Sequence, residues 1–160
     1  MPDFTIRPTT PEDKQWIEPF IIEQWGASSV VGHGVVYYPH DLAGFVAIQN
    51  ALPVGLVTFH ILGEACEIVT IDCVQPGIGV GTALIESVKE VSQKAGCTRL
   101  WLVTTNDNLH ALGFYQKRGF VLVKIHRNAV EKSRLLKPSI PLFGFASIPI
   151  RDEIELEMQL

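Results

Sequence analysis

The sequence predicts a single α/β domain whose mixed, mostly antiparallel sheet is flanked by helices. Three observations lead there. The chain has 160 residues, 47% hydrophobic and 19% charged, which suits one buried core and is far too apolar for a disordered chain. Residues 35 to 74 carry successive β-type segments divided by Pro39, Asn50, Pro53 and Gly63, the punctuation of consecutive antiparallel strands. From 67 to 125 the grammar then alternates strand, helix, strand, helix, strand. Nothing marks a linker or an internal repeat, so the whole of 1–160 reads as one domain.

Taken in order, Ile6-Arg7-Pro8 is a short strand. Thr9-Thr10-Pro11-Glu12-Asp13 supplies a polar cap, an early proline and first-turn acids for a helix over 11 to 25. Residues 26 to 34 are small and polar and read as irregular. Extended segments follow at 35 to 38, 44 to 49, 54 to 62 and 67 to 74. After Pro76 the apolar residues Leu84, Ile85, Val88, Val91 and Ala95 recur at helical spacing until Gly96, a C-cap residue. Residues 98 to 104 form a buried strand. Asn106-Asp107-Asn108 opens a helix that Gly119 closes, and 120 to 125 is again a strand. Residues 127 to 150, with Pro138, Pro141 and Pro149, read as a helical turn and a long loop. The alternation of Ile154, Leu156 and Met158 with Glu155, Glu157 and Gln159 predicts a half-exposed final strand, and that exposure suggests a homodimer.

Composition excludes several classes. No apolar run approaches a membrane span, and the residues from Met1 to Thr5 have neither region of a signal peptide, so a cytoplasmic protein without a membrane partner is expected. The net charge of −4 argues against a general nucleic-acid binder. The charge is uneven: residues 94 to 137 hold nine of the thirteen Lys and Arg and sum to +7, against −11 for the rest, a pattern suited to a small polyanionic ligand or to a merely solvated face. Cys66, Cys73 and Cys97 lack CxxC spacing and read as reduced thiols, and the five histidines show no metal-ligand spacing, so no metal is expected.

The chemistry concentrates in Ile71-Asp72-Cys73-Val74-Gln75-Pro76-Gly77-Ile78-Gly79-Val80-Gly81-Thr82, a strand that runs through alternating glycines into a helix. Such a junction lets backbone amides and the positive helix end meet an anion such as a pyrophosphate. A dinucleotide fingerprint needs glycine where Thr82 stands, and a phosphate loop needs Gly-Lys followed by Ser or Thr. Both therefore fit poorly.

A second landmark is Asn108-Leu109-His110-Ala111-Leu112-Gly113-Phe114-Tyr115, ending Gly119-Phe120. Together the two resemble the GCN5-related N-acetyltransferase (GNAT) superfamily, whose signatures Gln/Arg-x-x-Gly-x-Gly/Ala and Asn-x-x-Ala-x-x-Phe-Tyr they follow in order, with Pro76 a departure at the first position. The opening of residues 6 to 13 also looks like the family's start. The resemblance implies a sheet splayed between its fourth and fifth strands with acetyl-CoA in the gap. Pantetheine would pair with Cys73, Val74 and Gln75, and the pyrophosphate would rest on amides of Gly77, Ile78, Gly79, Val80, Gly81 and Thr82. Asn108 would bond the cofactor arm, Tyr115 would protonate the departing thiolate, and Lys117 or Arg118 would meet the 3′-phosphate.

The expected reaction is acetyl transfer to a primary amine, on a small molecule or a peptide, by direct attack in a ternary complex. Glu67 is the leading base, because a similar Glu-Ile-Val strand carries the glutamate of the family's histone-acetylating branch. Strand alternation puts Glu67 and Asp72 on opposite faces, which makes Asp72 its rival, and water alone is a third route. Cys73 as an acyl carrier is a minor alternative. His33 and Tyr37-Tyr38-Pro39-His40 are substrate-side candidates, and an acid-lined pocket there would favour a cationic acceptor. Two other functions remain open at this point: a non-catalytic acetyl-CoA-binding module, and a NAD-dependent oxidoreductase.

Overall fold

A computed structural model describes residues 3–160. Met1 and Pro2, the start of the segment read for a leader, lie outside the described residues. Among the described residues there are four α-helices and nine strands, of which seven form a sheet in the order β1-β4-β5-β6-β7-β9-β8 and β2 and β3 form a separate ribbon. The strands are β1 (Thr5–Pro8), β2 (Val30–Gly32), β3 (Val35–Tyr37), β4 (Ala43–Gln49), β5 (Leu52–Leu62), β6 (Ala65–Cys73), β7 (Arg99–Thr105), β8 (Val121–His126) and β9 (Glu153–Gln159). The helices are α1 (Lys14–Trp25), α2 (Val80–Lys94), α3 (Leu109–Lys117) and α4 (Ala129–Leu136). Among the described strands only β6 and β7 pair in parallel, so the sheet is mostly antiparallel, as the sequence predicts.

Two apolar clusters hold the layers together. Leu84, Ile85 and Val88 of α2 pack with Val57, Ile68, Leu100, Leu102, Tyr115, Phe120 and Leu156 on one side of the sheet. On the other, Ile17 and Ile21 of α1 meet Leu56 and Val30, with Tyr37 and Val69 against them. Leu56 and Val57 are adjacent in β5 and so serve opposite faces. Leu84 is fully buried, and Leu84→Ala costs about 2–5 kcal/mol through lost transfer energy and a cavity.

The entry to α1 is fixed by Asp13, which is 5% exposed. Its carboxylate accepts two bonds from Arg7 at 2.9 Å, one from Thr10 N at 2.7 Å and one from Trp16 Nε1 at 2.7 Å. These donors, Arg7 first, hold its pKa well below the usual carboxylate range. Because the folded pKa is depressed, this stabilisation is complete above the unfolded value near 3.9 and fades as pH falls below it. Asp13→Ala is expected to lower stability by about 3 kcal/mol at pH 7, with the difference from wild type shrinking in acid urea melts.

Three expectations are corrected. Residues 26 to 34 are not wholly irregular: Val30–Gly32 forms β2, which turns back through His33 and Gly34, at φ 43° and 81°, onto Val35–Tyr37. The segment read as 35 to 38 therefore pairs with β2 rather than joining the antiparallel series. The final strand is not an edge, since β9 lies between β7 and β8. Its alternation arises because Ile154 and Leu156 face the core while Glu155 and Glu157 pair with Arg99, and the strand-edge argument for a dimer falls. Lastly, a bulge in β6 skips Val69, because Thr58 opposes Thr70 while Phe59 opposes Ile68. The alternation flips there, so Glu67 and Asp72 share the α1 side instead of opposing each other.

Residues 127 to 150 are α4 followed by a tied loop. Arg134 Nη2 donates to the carbonyls of Pro141 and Ile150 at 2.7 Å each. Asn106 Oδ1 accepts from the amides of Arg151 and Asp152 at 2.9 Å, and Asp107 accepts from Phe145 N at 3.1 Å. A Cβ on Gly144 would lie 1.9 Å from Asp107 Oδ2. Gly144→Ala is thus expected to cost about 1–3 kcal/mol by overpacking, read as a lower urea midpoint.

Candidate active site

β6 and β7 pair only where Ala65, Cys66 and Glu67 meet Arg99, Leu100 and Trp101. Beyond Glu67 the strands part, and the edge of β6 from 68 to 73 turns unpaired backbone groups into a cleft of about 710 Å³. The cleft is closed by the start of α2, by α3 and by the end of α1. The expected splay between neighbouring strands of the mixed sheet is therefore present.

Of the expected residues, Asp72, Cys73, Gln75, Gly77, Gly79, Val80, Gly81, Asn108 and Tyr115 line this cleft. Val74, Ile78 and Thr82 do not. Val74 stays bonded to β5, its amide donating to Val54 O at 2.8 Å. Ile78 is exposed, and the Thr82 hydroxyl accepts from Arg118 Nε at 3.0 Å.

The glycine junction has the character of an anion cradle. Gly77 and Gly79 adopt φ of 86° and 87°, which only glycine takes without strain. Gly79 caps α2 with no side-chain acceptor, so the first-turn amides have no partner among the described residues and face outward at the positive end of the helix. Asn108 caps α3 by accepting from Ala111 N at 3.2 Å. Arg118 lies over the Phe114 ring at 3.6 Å and reaches the same cleft.

The remaining positive charge of 94 to 137 does not collect there. Lys117 is exposed and does not line the cleft. Arg99 pairs with Glu155 and Glu157, Lys94 with Glu90, and Lys137 donates to Ser29 O at 2.8 Å. A run contiguous in sequence crosses both faces of the sheet, so its cations meet different partners.

Tyr115 is 7% exposed. Burial, then the nearby Asp72 and Cys73, raise its hydroxyl pKa, so it stays protonated and keeps a proton to give at neutral pH. Asp72 accepts from Trp25 Nε1 at 2.9 Å. Loss of water pushes its carboxyl up to about 6, against the lowering by Trp25. Desolvation, with Asp72 next, pushes the Cys73 thiol up to about 11, which leaves it a poor nucleophile at neutral pH.

Glu67 lies apart, in a recess of about 110 Å³ beside the cleft. It is 4% exposed. Tyr37 Oη donates to Oε1 at 2.7 Å, and His33 Nε2 lies 2.7 Å from Oε2. Glu67 raises the His33 pKa, which favours an ion pair. The β2–β3 ribbon thus delivers two of the substrate-side candidates. Tyr38 is exposed, and His40 pairs instead with Glu18 at 3.4 Å. Trp25 and Glu153, which also line the recess, carried no sequence signal because only the folded chain brings them near β6.

Among the described residues, no group of three or more His, Cys, Asp or Glu is arranged to hold a metal, and no helix is long and apolar enough to cross a membrane. The single parallel pair of strands is not the doubly wound sheet that a dinucleotide fingerprint serves.

Residues 5–120 match the Acetyltransferase (GNAT) family. The chain is 40% identical over 156 residues to the Bacillus subtilis (strain 168) protein YxbD, covering 97% of this chain and 98% of that one. Among solved structures, a GNAT family acetyltransferase from Elizabethkingia anophelis with acetyl-CoA bound is 23% identical, with a TM-score of 0.69 and all of both chains covered. A Bacillus subtilis acetyltransferase in complex with CoA is 20% identical, with a TM-score of 0.68 over 98% of this chain and 99% of that one.

Proposed function

We propose that this chain, which belongs to the acetyltransferase (GNAT) family, transfers an acetyl group from acetyl-CoA to a primary amine by direct attack within a ternary complex. The observation that carries the reading is the splayed cleft with a capless helix start on one wall and a protonated tyrosine on another. The neighbours that hold acetyl-CoA or CoA support the cosubstrate.

The fit is chemical. Unpaired β6 edge groups suit the amides of a pantetheine arm, with Cys73 and Gln75 at the far end. The amides of Val80, Gly81 and Thr82, with Gly77, Ile78 and Gly79 before them, suit a pyrophosphate. Asn108 has an amide nitrogen with no acceptor among the described residues and suits a polar group of the arm. Arg118 suits a phosphate. The bound thioester supplies the activated acyl group. Tyr115 gives its proton to the departing thiolate, and Glu67, oriented by Tyr37 and His33, takes the proton that the attacking amine loses.

A second reading of the base has its own support: Asp72 lines the cleft with Tyr115, and its raised pKa suits proton uptake. If Asp72 is the base, activity falls as pH drops below about 6 and Asp72→Asn lowers kcat sharply; if Glu67 is the base, Asp72→Asn leaves kcat largely unchanged. Three free cysteines suit a reducing compartment, and we place the reaction in the cytoplasm.

The test is release of free thiol from acetyl-CoA across a panel of amines. Amine-dependent release with an acetylated product is expected. No release with any amine would leave only an acetyl-CoA-binding module.

A further inference from the structure

We propose that the recess beside Glu67 is a subsite for a second cationic group on the acceptor amine, with Glu153 as its carboxylate. This rests on the acetyl-transfer reading and narrows the acceptor to an amine that bears a further ammonium or guanidinium group.

The recess opens from the cleft, since Trp25, Ile68, Val69, Val103, Thr104 and Asn108 line both. An acceptor whose reactive nitrogen stands where the recess meets the cleft, on the Glu67 side, can therefore extend its other end toward Glu153. At about 110 Å³ the recess holds roughly three or four water-sized groups, enough for an ammonium with its adjacent methylenes or for a guanidinium.

Side-chain hydrogen bonding singles out Glu153. Among the described residues five acids are buried: Asp13, Glu67, Asp107, Asp152 and Glu153. Four of these meet a side-chain donor: Arg7 for Asp13, His33 and Tyr37 for Glu67, Thr105 for Asp107 and Arg151 for Asp152. Glu153, 4% exposed, has none. Its Oε2 accepts from His33 N at 3.1 Å, and Oε1 has no donor among the described residues. Its neighbours along β9 are matched, Glu155 by Arg99 and His126, Glu157 by Arg99.

A buried carboxylate that shares its nearest cation is undercompensated: His33 lies close to both Glu67 and Glu153, and Glu153 faces a cavity of the right size. Glu67 and protonated His33 cancel, so Glu153 leaves the recess one negative charge in excess. A cationic ligand group completes that balance. A monoamine offers nothing to it once its nitrogen is in the cleft.

The test is calorimetric titration of wild type and Glu153→Gln with putrescine, agmatine and butylamine, with and without CoA, and with melting temperatures as a folding check. Putrescine and agmatine are expected to bind wild type at least about tenfold more tightly than butylamine, the scale of a charge-assisted hydrogen bond, and Glu153→Gln is expected to bring that ratio near one. A wild type that binds butylamine as tightly as the dications overturns the proposal, whether or not the variant folds. So does a folded Glu153→Gln protein that keeps the ratio. Titration without CoA reads the recess alone, so a preference for dications without acetylation of any amine would sink the parent reading and leave the subsite standing.

Discussion

Tyr115→Phe is expected to lower kcat by about 10²-fold or more while the Kd for acetyl-CoA changes little. The tyrosine is the one buried hydroxyl donor that the proposal uses, and positioned proton transfer contributes roughly 10²–10⁴-fold. Its ring is also core, with Phe114 and Phe120 at 5.3 and 5.5 Å between centroids. Phenylalanine keeps that packing and removes only the hydroxyl, so the melting temperature should hold. Steady-state kinetics with a binding titration checks both halves. A variant that loses binding and rate together would make Tyr115 a packing residue.

Glu67→Gln is the second large effect, with kcat lowered about 10²-fold or more if Glu67 is the base. The amide can still meet Tyr37 Oη and His33, and Glu67 does not line the acetyl-CoA cleft, so cosubstrate affinity should be kept. Stability carries a pH signature. Glu67 raises the folded pKa of His33, so the stabilisation from this pair is fully present below the unfolded histidine value near 6.5 and is lost as pH rises through the folded value. The difference in melting temperature between wild type and Glu67→Gln should therefore be largest in mild acid and shrink toward alkaline pH. A difference that does not change with pH would mean that His33 is uncharged beside Glu67.

Where local rules govern, the sequence was an adequate guide. The helix after Pro76, its end at Gly96 and the Asn108 cap follow from apolar spacing and cap chemistry, and they stand where those rules put them. Much of the cleft follows too, because its glycine junction and Tyr115 belong to two strand-to-helix connections. What local rules cannot express is the bulge at Val69, which depends on the register of β5 against β6 and brings Glu67 and Asp72 to one face. Nor do they foresee that β9, last in the chain, inserts between β7 and β8, or that this insertion carries Glu153 to the recess. The hairpin turn at His33-Gly34 did leave a local signal, since glycine after a polar residue between valines favours a tight primed turn, and that turn is what sets His33 beside Glu67.

The central claim is that the splayed cleft binds acetyl-CoA, and thermal unfolding with acetyl-CoA, CoA and NADH at equal concentrations tests it most directly. At about a hundredfold excess over Kd a ligand adds roughly 2.7 kcal/mol, or about 5 to 10 °C for a chain of this length. Such a shift is expected with both CoA species and none with NADH. Stabilisation by NADH alone, or by none of the three, would contradict it.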